Sequence, residues 1–452
     1  MFVTCVANQS KKSVNLFRRI LSMKGFPIKR AEADFQRILL RLDNKNRTEF
    51  NEKRKWEIFK HHLRNTPDYH QLVGKKKPQH WEDVPVMTKQ DLQKPLEKRI
   101  SKHYKTSDLF VNKTSGSSGN PFIFAKDKYA HALTWSHIIW LYSTYGLTLG
   151  KSLEARYYGL PKDLKPRLTE RAKDFFAHRY RFDVFDLSDH KLDEMIDFYK
   201  RKKFDYINGY TSSIAMLAKR LQSKNLKLTN ICPSLKFCIT TSEMLFPTDR
   251  KIIEEYIGVP VINEYGASEL DIIAFEDTEG DWLLNDKTLY TEVVDDDDQP
   301  VPDGEEGHLV ITGLYNYGHP FIRYKIGDVG IIDESSKNGN PKLKKLIGRT
   351  NQFAFLPSGK RVPALTFYYV TKSLIEDSGA VKEIKVIQTT KEEFRVEYVA
   401  DHALNEQEKS KITQAIEDYL EPGLNINYKR QEKLERSKSG KLKQFISQLD
   451  TN

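Results

Sequence analysis

Between Asp205 and Asn263 short apolar runs alternate with helix-forming stretches, and this rhythm restricts the fold more than any other feature of the chain. Asp205–Gly209 (DYING) reads as a strand running into a turn. Thr211 or Ser212 is placed to cap a helix over Ser213–Gln222. Leu235–Thr240 reads as a buried strand, Pro247–Tyr256 as a helix with proline near its start, and Val259–Asn263 as the next strand. Strand–helix–strand order is the signature of crossover connections, so the expected fold class is α/β with some parallel sheet.

The flanking regions read differently. Residues 11–70 carry helical periodicity through Leu16, Ile20 and Leu21, then Phe35, Ile38, Leu39 and Leu42, then Trp56, Phe59 and Leu63. The Lys and Arg residues between them fit solvated faces opposite a buried stripe. Residues 81–89 (WEDVPVMTK) read as an ordered connection into a helix starting near Thr88. Trp135–Tyr145 is aromatic but interrupted by His137 and Ser143, as in a buried helix. From Leu283 onward short strands and turns take over. Asp295–Asp298 precede Gln-Pro-Val-Pro-Asp-Gly, which makes a solvated hairpin tip a better reading than a metal site. Leu346–Pro357 looks like a boundary. Beyond it, strand signals at Ile384–Gln388 and Phe394–Val399, a helix over Glu406–Tyr419 and the basic end RSKSGKLKQFIS suggest a small α+β domain. The expected division is a large domain of mixed sheets and helices over 1–347 and a small one over 348–452.

Composition narrows the class. A chain of 452 residues exceeds the usual single domain, which agrees with two. Only Cys5, Cys232 and Cys238 occur, which excludes a disulfide framework and zinc spacing and points to a reducing, cytoplasmic setting. The net charge of +11 favours anionic partners, but the basic residues are spread out and form no nucleic-acid module. A lysine-rich surface, with no nucleic-acid partner, is the simpler reading. The start MFVTCVA lacks the parts of a signal peptide, and no run reaches the roughly 18 apolar residues of a membrane span.

The stretch from Lys113 to Asp127 reads KTSGSSGNPFIFAKD. Small residues let backbone N–H groups and hydroxyls approach phosphate oxygens, although such clusters also mark plain turns. The stretch lacks the Lys-Ser/Thr ending of a Walker loop. Four downstream segments join it. Asn263-Glu-Tyr-Gly-Ala-Ser-Glu269 places an aromatic, a glycine and a carboxylate just past a strand, where α/β sheets bind ligands. Ile322–Asp328 ends in an Asp at a turn. Leu346-Ile-Gly-Arg-Thr-Asn351 sits at the boundary, and Ser437-Lys-Ser-Gly-Lys441 presents a lysine after a glycine.

In this order and at these spacings the segments resemble the adenylate-forming superfamily of acyl-CoA ligases, peptide-synthetase adenylation domains and luciferases. Within it the likeness is nearest to the phenylacetate–CoA ligase family, through the 81–89 segment, Ser242–Glu243 and the ProPheIleArgTyr ahead of Gly-Asp. It runs from about residue 55 to about residue 445. Leu356–Pro363 (LPSGKRVP) resembles the capsule-biosynthesis branch of that family more than the ligase itself.

The resemblance implies ATP and Mg²⁺ as cofactors and a small C-terminal lid. A carboxylate attacking the α-phosphate is an anion meeting an anion, so cations must offset the charge and the nucleophile must be held in line. By resemblance, Thr114, Ser115, Gly116, Ser117, Ser118 and Gly119 grip the departing phosphates. Ser242 and Glu243 belong to the nucleotide site. Glu269 is the magnesium-associated carboxylate, a hard oxygen ligand. Tyr265 and Gly266 lie beside adenine, and Asn263 or Glu264 reaches its amino group. Asp328 accepts the ribose hydroxyls, Arg349 meets ribose or phosphate, and Lys441 bridges the carboxylate and the α-phosphate. Plainer roles stand beside these: a helix cap for Glu269, core packing for Tyr265, a turn for Asp328, an ion pair for Arg349 and a solvated tail for Lys441.

Three positions depart from the superfamily pattern. Phe122 stands where many members carry a lysine, which the phenylacetate family also lacks. Asn351 and Gln352 replace the usual Asp-Asp after Gly-Arg, the first of which is the hinge of the lid. The expected function is adenylation of a carboxylic acid, which an aromatic acid would suit, with pyrophosphate release and then acyl transfer to CoA. The alternative acceptor is an amine or hydroxyl on a cell-surface polysaccharide precursor. A reading of another class is a non-catalytic nucleotide-binding assembly protein. A homodimer is compatible with each. Trp135, Tyr210 and Phe237 are candidate pocket aromatics, with core packing the plainer role.

Overall fold

A computed structural model describes residues 16–42, 46–75, 78–114, 122–160, 164–333, 340–349, 353–363, 367, 381–436, 442 and 445–449. Four helices lead: α1 (Leu16–Met23), α2 (Ile28–Arg41), α3 (Arg47–Asn65) and α4 (Pro67–Val73). The helix expected near Thr88 is absent. Asp91 accepts from the Thr88 N–H and hydroxyl, both at 2.8 Å, and Pro95 interrupts the ladder. Only a 3₁₀ turn at Asp91–Gln93 and the single turn α5 (Leu96–Arg99) form there.

Strands β1 (Leu109–Lys113) and β2 (Ile123–Asp127) make an antiparallel hairpin that feeds α6 (Lys128–Thr144). Then come β3 (Glu154–Tyr157), α7 (Leu164–Phe176), β4 (Arg179–Phe182), α8 (Asp189–Arg201), β5 (Tyr206–Tyr210), α9 (Thr211–Ser223), α10 (Leu228–Ile231), β6 (Phe237–Thr241), α11 (Pro247–Tyr256) and β7 (Val261–Ala267). Strands β8 (Asp271–Glu276), β9 (Trp282–Leu284), β10 (Leu289–Val294), β11 (Glu306–Gly313), β12 (Tyr324–Asp333) and β13 (Lys342–Arg349) follow, with no helix between them among the described residues.

These strands form one sheet of eleven, in the order β10-β11-β12-β13-β9-β8-β7-β6-β5-β3-β4. From β4 to β7 it is parallel, as the alternating pattern predicts, and from β7 to β10 antiparallel. Where β13 meets β9, Lys342 and Leu283 are the one pair in register among the described residues. The parallel half is packed by α8, α9 and α11 on one face, around Ile207, Ile214, Leu217 and Ile253. Helix α6 lies on the other face, with Tyr142 and Tyr145 against Tyr206, Ile239 and Phe275. The antiparallel half packs on α3 and the 81–92 segment through Phe59, Trp81, Leu309 and Tyr324.

The C-terminal part has its own core around Val386, Phe394, Val396 and Ile416. Its sheet runs β18 (Asn425–Arg430), β17 (Glu393–Ala400), β16 (Val381–Gln388), β19 (Phe445–Ser447), with α12 (Glu406–Tyr419) packed against it. A further hairpin, β14 (Phe353–Phe355) with β15 (Arg361–Pro363), precedes it. The architecture is therefore mixed α/β with a small α+β lid, as expected. Among the described residues no helix is long and apolar enough to cross a membrane.

Candidate active site

The hairpin β1–β2 keeps register from Leu109–Asp127 to Lys113–Ile123. At its open end the Thr114 N–H donates to the Phe122 carbonyl at 3.0 Å, and the Phe122 N–H donates to Thr114 Oγ1 at 3.1 Å. Thr114 therefore closes the base of the Ser/Gly stretch with its hydroxyl, while Ser115, Gly116, Ser117, Ser118 and Gly119 lie outside the described residues. Asp127 fixes the direction out of the hairpin. Its carboxylate caps α6 through Ala130 N–H and accepts from Tyr317 N–H, both at 2.8 Å.

The second group gathers on the antiparallel side. Asp328 lies inside β12, not at a turn, and Asn263–Ala267 lie inside β7, not past it. Ser268, Glu269 and Leu270 make the turn into β8. The β12–β13 register sets Asp328 opposite Arg349, 21 residues away in sequence. The Arg349 side chain lies outside the described residues. Tyr265 OH donates to Asp328 Oδ2 at 2.7 Å, and its ring meets Trp282 edge-on at 6.1 Å. Both side chains are buried, so the hydrogen bond fixes the carboxylate's rotation. Gly266 permits the sharp return into β8: a Cβ there would stand 2.5 Å from the Asp271 carbonyl oxygen.

Glu269 is buried, and Tyr324 OH donates to its Oε1 at 3.2 Å. Tyr324 is held by its neighbour. Arg323, with φ of 45° and almost no exposure, donates from Nη1 to the carbonyls of Glu82 at 2.7 Å and Val84 at 2.8 Å. Backbone bonds between Met87 and both Arg323 and Lys325 complete the splice. Two sequence motifs some 240 residues apart thus form one support, which orients Tyr324 towards Glu269. A single buried carboxylate suits Mg²⁺, which usually takes one or two protein carboxylates plus substrate phosphates. Among the described residues no group of three or more His, Cys, Asp or Glu is placed to hold a metal alone.

Ser242 and Glu243 follow β6. Ser242 is exposed at φ 69°, a left-handed conformation that non-glycine residues adopt at a cost. Glu243 is engaged by protein. Its Oε2 accepts from Ser212 N–H at 2.8 Å, and its Oε1 accepts from Leu442 N–H at 3.1 Å. The expected caps Thr211 and Ser212 therefore lie inside α9, and the carboxylate that serves the helix end comes from another strand. Leu442 belongs to the lid and directly follows Lys441, which lies outside the described residues. Arg436 adds a second tie, donating to Ser212 Oγ at 3.2 Å while pairing with Glu383 at 2.5 Å. Burial raises the Glu243 carboxyl above its ordinary range, against the pull of Ser212, Arg436 and Leu442.

Glu264 stands at the carboxyl ends of the parallel strands. Register aligns Thr241 with Glu264 and Tyr210 with Thr241. Burial pushes its carboxyl up to about 7, opposed by hydrogen bonds from Thr241 and Tyr142. Asn263, one residue back, donates its N–H to Glu276 Oε2 at 2.8 Å, a carboxylate that Arg250 clamps with bonds of 2.8 and 2.6 Å.

Of the candidate pocket aromatics, Tyr210 reaches this edge, with its ring 4.6 Å from that of Tyr158. Trp135 packs on Phe17 at the outer side of α6, and Phe237 packs on Tyr145 at the opposite end of β6. The sequence reading passed over Arg156 and Tyr142. An arginine two residues after a glutamate inside a short strand, LEARYYG, was the available signal.

Protein CapK of Staphylococcus aureus is 28% identical to this chain over 279 residues, covering 60% of the chain and 59% of CapK. The phenylacetate-coenzyme A ligase of Thermus thermophilus is 28% identical over 131 residues, 27% of this chain and 29% of that enzyme. Among solved structures, 2-hydroxyisobutyryl-CoA ligase in the postadenylation state with R3-HIB-AMP aligns at a TM-score of 0.67 and 19% identity, over 87% of this chain and 88% of that one. No protein-family profile matches the sequence. The matches to the two curated relatives span less than two thirds of their lengths. The resemblance read from the motifs is borne out by relatives of both names, and the fold is that of the acyl-CoA ligases.

Proposed function

We propose that this protein activates a carboxylic acid as its acyl-adenylate, consuming ATP and releasing pyrophosphate, and then passes the acyl group to an acceptor. The observation that carries the reading is the buried Tyr265–Asp328 hydrogen bond, with Arg349 opposite Asp328 in register. A carboxylate oriented from one side by a tyrosine is suited to accept two vicinal hydroxyls of a ribose. The body would comprise residues 1–347 and the lid 348–452; separate cores support that division.

In this reading Thr114–Gly119 hold the departing phosphates, and Thr114 fixes where the loop begins. Tyr265 and Gly266 border the adenine, with Asn263 or Glu264 towards its amino group. Glu269 would hold Mg²⁺, which neutralises phosphate charge when bound. Lys441 approaches the reacting carboxylate and α-phosphate as negative charge develops there. Glu243 takes a different part from the one expected: it ties the backbone beside Lys441 to the end of β6, and so positions the lid.

The default acceptor is CoA, as in the names of the ligase relatives. An amine or hydroxyl of a polysaccharide precursor is the second reading. It is favoured by the match to CapK and by the capsule-type segment, whose Leu356–Lys360 turn, with Gly359 at φ 85°, joins β14 to β15.

ATP–pyrophosphate exchange across aromatic, aliphatic, hydroxylated and amino acids tests the first half-reaction. Exchange with at least one acid is expected. Its absence with all of them, despite ATP binding, would instead favour a nucleotide-binding assembly role. Offering CoA or amine acceptors to the active acid then separates the two transfers.

A further inference from the structure

The parallel strands put an ionic and phenolic cluster under α6 where a sheet interior ordinarily carries hydrocarbon. Glu154 and Arg156 of β3 pair at 2.7 Å. Beside them in register, β5 presents Tyr206 and Asn208. Tyr206 OH donates to Glu154 Oε2 at 3.1 Å, and Asn208 Nδ2 donates to Tyr142 OH on α6 at 3.2 Å. Arg156 lies over the Tyr158 ring at 4.0 Å. Further along the same face β6 and β7 return to Ile239 and Ile262. The polar groups run from β3 and β5 through Tyr142 of α6 to Thr241 of β6 and Glu264 of β7.

Stability alone does not call for this cluster, since a buried ion pair is weak evidence of net stabilisation and apolar residues of similar volume often do as well. Nor is the guanidinium fully used. Among the described residues Nη1 bonds Glu154, while Nε and Nη2 have no hydrogen-bond partner. Nε is enclosed, but the side chain keeps 22% exposure, so the open donor is at the tip.

The position matters as much as the chemistry. Ligands of parallel α/β sheets bind beyond the carboxyl ends of the strands. The residues assigned to the nucleotide, Tyr265 and Asp328, lie on the antiparallel side of β7. The carboxyl ends of β3 and β5 therefore remain for the second substrate, with Glu264 and Thr241 between the two.

We propose that this wall receives the acyl part of the acid, and that Arg156 selects acids bearing a hydroxyl or other neutral acceptor oxygen remote from the reacting carboxyl. The inference rests on the adenylating reading of the site. A guanidinium offers only donors, so its partner on the substrate is an acceptor. Glu154 already balances its charge, so the remote group is a neutral oxygen and not a second carboxylate. Tyr158 and Tyr210 flank that contact at the mouth.

Exchange kinetics with matched acids test this: phenylacetate against para-hydroxyphenylacetate, and butyrate against gamma-hydroxybutyrate. The wild type should favour the oxygenated member by about tenfold or more in kcat/KM. The double variant Arg156→Met with Glu154→Gln, which removes both members of the ion pair together, should erase most of that preference. It should do so by raising KM for the oxygenated acid and leaving KM for ATP unchanged. Arg156→Lys, which retains the charge but loses the fork, should fall between them and serves if the double variant does not fold. Equal use of both members by the wild type, or a preference that survives in the variants, overturns the assignment of Arg156. No exchange with any acid removes the adenylating reading, and this inference with it.

Discussion

The two halves of the long sheet deliver their chemistry in different ways. In the parallel half, side chains of interest stand at or just past strand ends, as Thr241, Tyr210 and Tyr158 do. In the antiparallel half they sit within strands: Asp328 inside β12, Tyr265 inside β7 where it turns towards β8, and Arg349 at the end of β13. A parallel strand returns its chain through a helix, so all its loops gather at one edge. An antiparallel strand has no such common edge, and its functional residues are selected by register. The parallel half should therefore govern which acid is used, and the antiparallel half the nucleotide.

Variants can break that division. Lys441→Ala touches neither half and sets the scale: adenylation should slow by about a hundredfold or more for every acid, the loss of one transition-state donor being about 2.7–4 kcal/mol. An unchanged exchange rate would remove Lys441 from the reaction. Asp328→Ala should weaken ATP use by roughly 10- to 100-fold in kcat/KM, from one or more lost bonds to a charged group at about 1.5–3 kcal/mol each, while the ranking of acids stays the same. A changed ranking with ATP use intact would reverse the assignment of the halves.

The lid contact is smaller. Glu243→Ala should lower kcat for adenylation by about tenfold with KM for ATP little altered, since the carboxylate bonds backbone beside Lys441 and not the nucleotide. Stopped-flow pyrophosphate release would read it, and a change confined to KM for ATP would return Glu243 to the binding site.

The smallest effect is in stability. Glu264 has a folded pKa of about 7 against an ordinary 4.5. Between those values the native protein holds a proton that the unfolded chain has lost, so stability falls as pH rises through that window and then levels. After allowance for partial exposure the fall is about 1–2 kcal/mol. Urea unfolding at about pH 5 and about pH 7.5 would measure it, and Glu264→Gln should flatten the slope.

Legibility followed the same division. The helix Pro247–Tyr256 was readable because proline fixes the first turn, and Glu406–Tyr419 because Asn405 and Glu408 make a reciprocal cap. The parallel half followed from its rhythm. Asp328 looked like a turn residue because Gly-Asp usually is one, and nothing local shows that β13 will lie beside it. The capping of α9 by Glu243 was equally hidden, since the partner arrives from 31 residues away. Arg156 escaped notice because its meaning depends on Tyr206, Asn208 and Tyr142 converging on it. The motifs at 81–89 and 320–324 carried the family likeness, but that Arg323 splices them together required coordinates.

The joint between β13 and β9 has a consequence of its own. Among the described residues Lys342 and Leu283 are the one pair in register there. Beside it the Leu284 N–H donates to the Pro341 carbonyl at 2.9 Å, so the two parts of the sheet meet there over a short seam. Tyr265 of β7 and Asp328 of β12 stand on opposite sides of that joint, so their hydrogen bond fastens the two parts of the sheet to each other at the proposed nucleotide site.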